Sequence, residues 1–145
     1  MRNLLTDLDP LVRQGKNIIL LAQLAQISVA NAGGDDYIED GPKLQHRKDC
    51  SVRTEVCEWA DHVFRIGLLN FEVEKDDAKA KAGKVTSDDG TRAIYTGGAA
   101  HFFAKSRPVI EGREAPYRIP NVISFALPED SSLWSYVFGG AVEAA

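Results

Sequence analysis

Ile18-Ile19-Leu20-Leu21-Ala22-Gln23 is the stretch on which the fold turns. Aliphatic residues follow one another without a polar interruption, the pattern of a central strand covered on both faces. Immediately upstream, Leu4, Leu5, Leu8, Leu11 and Val12 repeat at helical spacing and mark one apolar face. Pro10 either kinks that helix or opens a fresh turn capped by Asp9, and Gly15 ends it. Helix, glycine and buried strand in this order predict an α/β layer fold.

Downstream the character changes. Residues 24–49 read as one long loop, a length usually tied to function. It contains the turn-forming run Asn31-Ala32-Gly33-Gly34-Asp35-Asp36 and a basic cluster of Lys43, His46, Arg47 and Lys48. Val52, Val56, Trp59, Ala60 and Val63 then give a strongly amphipathic helical spacing, leading into a second core strand over 63–68. Phe71 and Val73 alternate with Glu72 and Glu74 as a more exposed strand. Residues 75–91 read as a charged hairpin tip centred on Ser87-Asp88-Asp89-Gly90. Strands are expected over 92–96 and 122–127, with a short extended piece over 100–105 and a proline-rich loop over 108–120. A helix carrying Leu133, Trp134, Val137 and Phe138 should start after Asp130 or Ser131.

The 145 residues fit one domain with a real core. Hydrophobic residues make up 44% and charged residues 26%, the balance of an ordinary globular chain. Lys and Arg number 17 against 21 Asp and Glu, a net charge of -4, so any nucleic-acid contact needs a local basic patch. No apolar run is long enough to span a bilayer. Cys50 and Cys57, the two cysteines, lie about 10 Å apart along a helix axis, too far for a disulfide. A reduced, cytoplasmic setting with no membrane partner is the expectation.

A phosphate-binding loop requires G-x-x-x-x-G-K-[ST], in which backbone N–H groups close on phosphates and the hydroxyl holds magnesium. Gly15-Lys16 is followed by Asn17, and Gly83-Lys84 by Val85; neither pair meets the requirement. His46, Cys50, Cys57 and His62 have the wrong spacing for a structural zinc site, so no metal site is expected. Asp77-Ala78-Lys79 has a nuclease-like spacing but falls in the hairpin tip.

In order along the chain, Ile18–Gln23, Pro42-Lys43-Leu44, Glu58-Trp59-Ala60-Asp61, Arg92–Thr96 and Ala104-Lys105-Ser106-Arg107 resemble the motifs of phage-encoded RecA-like nucleotide-binding proteins. Two departures stand out: Gln23 replaces the histidine common in the phage group, and the stretch after Arg107 is longer than the family's Tyr-Gly-Leu-Pro turn. The resemblance implies the C-terminal part of a RecA-like P-loop NTPase core without its Walker A and Walker B segments. Its sheet would be mainly parallel, with helices on its faces and a β-hairpin extension. ATP and magnesium would serve the parent family but not this chain alone. Gln23 would sense the terminal phosphate, and Lys105 with Arg107, two apart on an extended segment, would reach the phosphates of a neighbouring subunit. Lys43, His46, Arg47 and Lys48 would meet single-stranded DNA. Asp35, Asp36, Glu39, Asp40 and Asp49 outnumber these bases and oppose that contact. The implied role is DNA recombination or single-strand annealing in a homo-oligomer or with a missing N-terminal half. The alternative is a non-enzymatic module for oligomerisation or single-stranded-DNA binding. Without the missing strands the aliphatic face of 18–22 would be exposed to water or to another chain. The chain would then be marginal as a monomer, dimerise, or represent a truncated reading of a longer gene.

Overall fold

The computed structural model describes residues 2–47, 50–69, 71–74, 84–107, 119–125 and 129–138. The chain divides into two units, Met1–Val63 with Ala99–Phe103, and Phe64–Gly98 with Ala104–Ala145.

In the first unit, α1 (Arg2–Arg13) carries the expected leucine spacing with Pro10 inside it. Its end is a Schellman motif: Lys16 N–H donates to Leu11 O at 3.0 Å and Gly15 N–H to Val12 O at 2.8 Å. Gly15, at φ +75°, takes the left-handed conformation that this closure requires. No strand follows where one was expected. Residues 16–23 run on without strand pairing, and β1 (Leu24–Val29) starts only after Gln23. It pairs antiparallel with β2 (Tyr37–Pro42), from Leu24 opposite Pro42 to Val29 opposite Tyr37. Thus most of the expected long loop is a hairpin. The turn chemistry at 31–36 forms its tip, and of the two flanking strands only β1 alternates in burial residue by residue. A small antiparallel pair, β3 (His46–Arg47) with β4 (Cys50–Ser51), leads into α2 (Val52–Trp59), with β5 (His62–Val63) after it. Ser51 is the N-cap of α2, its Oγ accepting from Thr54 N–H at 3.1 Å.

The second unit is built on a sheet ordered β11-β9-β6, comprising β6 (Arg65–Leu68), β9 (Arg92–Tyr95) and β11 (Val122–Phe125). Both of its ladders are antiparallel, with Ile94 opposite Ile66 on one side and Ile123 on the other. Ala93, Ile94, Ala104, Ile119 and Ile123 are buried. Thr96, also buried, donates its hydroxyl to Pro120 O and its N–H to Asn121 O. A separate hairpin joins β7 (Phe71–Glu74) to β8 (Lys84–Asp88). The expected tip at 87–90 is therefore displaced: β8 runs through Asp88, and Gly90 (φ +75°) turns the chain towards β9. After β10 (Lys105–Ser106), the last element described is α3 (Ser132–Phe138), where Asp130 Oδ1 accepts from Ser132 N–H at 2.9 Å. The tip residues 75–83, with Asp77-Ala78-Lys79, and the proline-rich loop over 108–118 lie outside the described residues.

The expected α/β architecture, a mainly parallel RecA-like sheet with helices on its faces, is overturned. The strand ladders are antiparallel and the sheets small. The physical reason lies in the connections. A parallel pair needs a crossover of a dozen or more residues, usually helical. Here β1 and β2 are joined directly through the 30–36 turn, far too short for such a crossover.

Candidate nucleic-acid interface

The β1–β2 hairpin sorts charge along its length. Asp35 and Asp36 sit at the turn, where Asp36 Oδ1 accepts from Asn31 N–H at 3.2 Å. Lys43, His46 and Arg47, all exposed, follow the opposite, open end. At about 3.4 Å per residue the ladder alone puts about 17 Å between these ends. Physiological salt screens charge over about 8 Å, so the acidic turn does little to neutralise the basic end.

Glu39 is removed from the balance in another way. Its carboxylate lies 3.6 Å from Arg53 Nη2, and the two side chains are only 13% and 11% exposed. Arg53 reaches it from α2, with its guanidinium carbon 5.6 Å from the centre of the Phe103 ring. A Cβ on Gly41 would lie 2.9 Å from Arg53 Nη2, so glycine at this point of β2 leaves room for the cation. Asp40 is half-buried. Its backbone bonds outward: Asp40 N–H donates to His101 O at 2.9 Å and Phe103 N–H donates to Asp40 O at 2.8 Å.

Lys43 N–H donates to Gln23 O at 2.6 Å, and Lys43 Nζ lies 3.4 Å from Gln23 Oε1. Gln23 is thus at the mouth of the hairpin and exposed, rather than at the end of a buried strand. His46 Nδ1 lies 2.7 Å from Ser51 Oγ. That oxygen already accepts from Thr54 N–H and from the Thr54 hydroxyl at 2.9 Å. The Ser51 hydroxyl thus ties the His46 ring to the start of α2. Lys48 lies outside the described residues. Lys105, half-buried in β10, and Arg107, exposed just after it, belong to the second unit.

The structure thus brings Gln23 to Lys43, and sets Lys43, His46 and Arg47 along one short exposed stretch. Reading the sequence did not find Arg53, the buried cation that disarms Glu39; its place as the second residue of α2, on the same side as Cys57, was the available signal. Cys57 is buried and is not in a disulfide. Among the described residues no group of His, Cys, Asp and Glu is placed to hold a metal, and no helix is long and apolar enough to cross a membrane.

A second exposed feature adjoins the first. Ile19 is 65% exposed, Leu20 48%, Leu21 93% and Leu24 53%. Full burial of such a side chain stabilises by about 1.5–3 kcal/mol, so covering these four would contribute about 4–8 kcal/mol per chain. Comparison of the chain with known protein families, with curated proteins and with solved structures yields no match.

Proposed function

We propose that this chain is a non-enzymatic, single-stranded-DNA-binding module acting in DNA recombination or single-strand annealing. One observation carries the reading: Lys43, His46 and Arg47 are exposed together at the open end of the hairpin, while Glu39 and Asp40 are half-buried and Asp49 lies outside the described residues. Glu39 is held by Arg53, and Asp35 with Asp36 lies at the far turn. The chain's overall charge of -4 is then a poor guide to the field at this end. Lys43 and Arg47 meet phosphates as cations, and the exposed His46 ring offers a further polar contact.

Titration of a fluorescent oligothymidylate by anisotropy over a range of salt tests this. Affinity should fall with a log–log slope of about -0.7 for each phosphate neutralised, or about -1.4 for two contacts. Replacing both Lys43 and Arg47 with alanine should weaken binding about tenfold or more at low salt and flatten that slope. Unchanged binding by the double variant, or none by the unsubstituted protein at low salt, overturns the reading.

A second reading keeps the phosphate-directed role of Lys105 and Arg107, in which the chain lends cations to a partner that binds ATP. The exposure of Arg107 favours it. Addition of the chain to an intact RecA-like ATPase should then raise turnover, and Arg107→Ala should remove the effect.

A further inference from the structure

β2 is covered on both edges, by β1 on one side and on the other by the segment around Phe102, which bonds to Asp40. β1 has a partner on one edge only among the described residues. Antiparallel pairing alternates the direction of successive backbone groups. Asp40 bonds away from β1, and Gln23 O bonds towards the β2 side through Lys43 N–H. The N–H and C=O groups of Leu24 and Gln26 therefore face the open edge. The chain before them, residues 18–23, continues that edge with exposed Ile19, Leu20 and Leu21. An uncovered, aliphatic strand edge is a template for another strand.

We propose that the strand which completes this edge is the same segment of a second copy, with residues 18–26 of two chains paired antiparallel about a two-fold axis at Ala22. Three observations favour a copy over a different partner. First, residues 17–34 contain no charged side chain. A two-fold axis sets each residue near its own counterpart, and here that brings no like charges together. Second, pairing about Ala22 places Leu20 opposite Leu24 of the other copy, so two half-exposed leucines cover each other on one face. Leu24 and Gln26, whose backbone groups face outward, would then bond across the axis to positions 20 and 18 of the other copy. Third, symmetry counts the apolar burial twice, which brings it into the range of the freedom lost when two chains associate. The inference does not rest on DNA binding, because it uses the outward edge of β1, whereas Lys43 bonds to Gln23 on the β2 side.

Sedimentation equilibrium of the intact chain should give a dimer at about 10 μM. Leu21→Glu should shift it to monomer with an unchanged circular dichroism spectrum, since Leu21 is already 93% exposed. In Ala22→Cys, mild oxidation should give a covalent dimer beyond any formed by the unsubstituted protein, because cross-strand partners meet the Cα spacing of a disulfide. A monomer at about 100 μM, a Leu21→Glu dimer, or no additional cross-linking at position 22 overturns the proposal. Loss of DNA binding with the dimer intact would instead count against the functional reading alone.

Discussion

The β1–β2 hairpin and the β11-β9-β6 sheet are both antiparallel, yet different interactions hold them. In the sheet, β9 lies between two partners, and its Ala93 and Ile94 are buried, Ile94 with an isoleucine opposite it on each side. The hairpin has no central strand. A charged contact is nearly buried against it, Arg53 between Glu39 and the Phe103 ring. One region is stabilised by apolar packing from a three-stranded arrangement; the other is pinned by a single cation from α2. The difference teaches that small sheets close in two ways, and that the polar way leaves an edge free for use.

Substitutions can break this comparison. Ile94→Ala should have the largest effect, destabilising the chain by about 4 kcal/mol in urea denaturation, because it empties a packed site opposite both Ile66 and Ile123. A loss below about 1 kcal/mol would show that the sheet is not held by its centre. Arg53→Ala comes next, at about 3 kcal/mol, since it leaves Glu39 poorly solvated and without its cation. Pairing it with Glu39→Leu should recover much of that loss, and additivity of the two changes would remove the ion pair from the account.

The smallest effect belongs to neither region and sharpens the contrast by its locality. The N–H of Ser132, and then its hydroxyl, hold the Asp130 carboxyl below its ordinary pKa. A carboxyl that is more acidic when folded contributes its stabilisation above the unfolded value, about pH 4, and loses it as pH falls through the folded one. The Ser132 amide resonance should therefore shift at acid pH, and Asp130→Ala should abolish that shift.

Much of the local structure was legible. The amphipathic spacing from Val52, the Gly15 stop and the strands at β9 and β11 all depend on neighbours within a turn or two. The path of Ile18–Ala22 was not, because an aliphatic run describes what a strand would gain from burial without saying whether anything covers it. Parallel or antiparallel pairing likewise depends on partners far along the chain. At the candidate interface the basic cluster was visible as composition, but its worth depended on where the acids went. The Gln23–Lys43 contact spans twenty positions, and the Arg53 site draws on β2, α2 and Phe103 together. No single window of sequence contains these arrangements.

Gly41 shows what this means for how such a chain can change over time. Its backbone does not adopt the positive φ of Gly15 and Gly90; it is glycine because the Arg53 guanidinium stands where a side chain would begin. The two positions are therefore bound as a pair in inheritance. A homologue with a larger residue at 41 should also have exchanged its arginine at 53, and such a matched replacement would trace the contact without any structure.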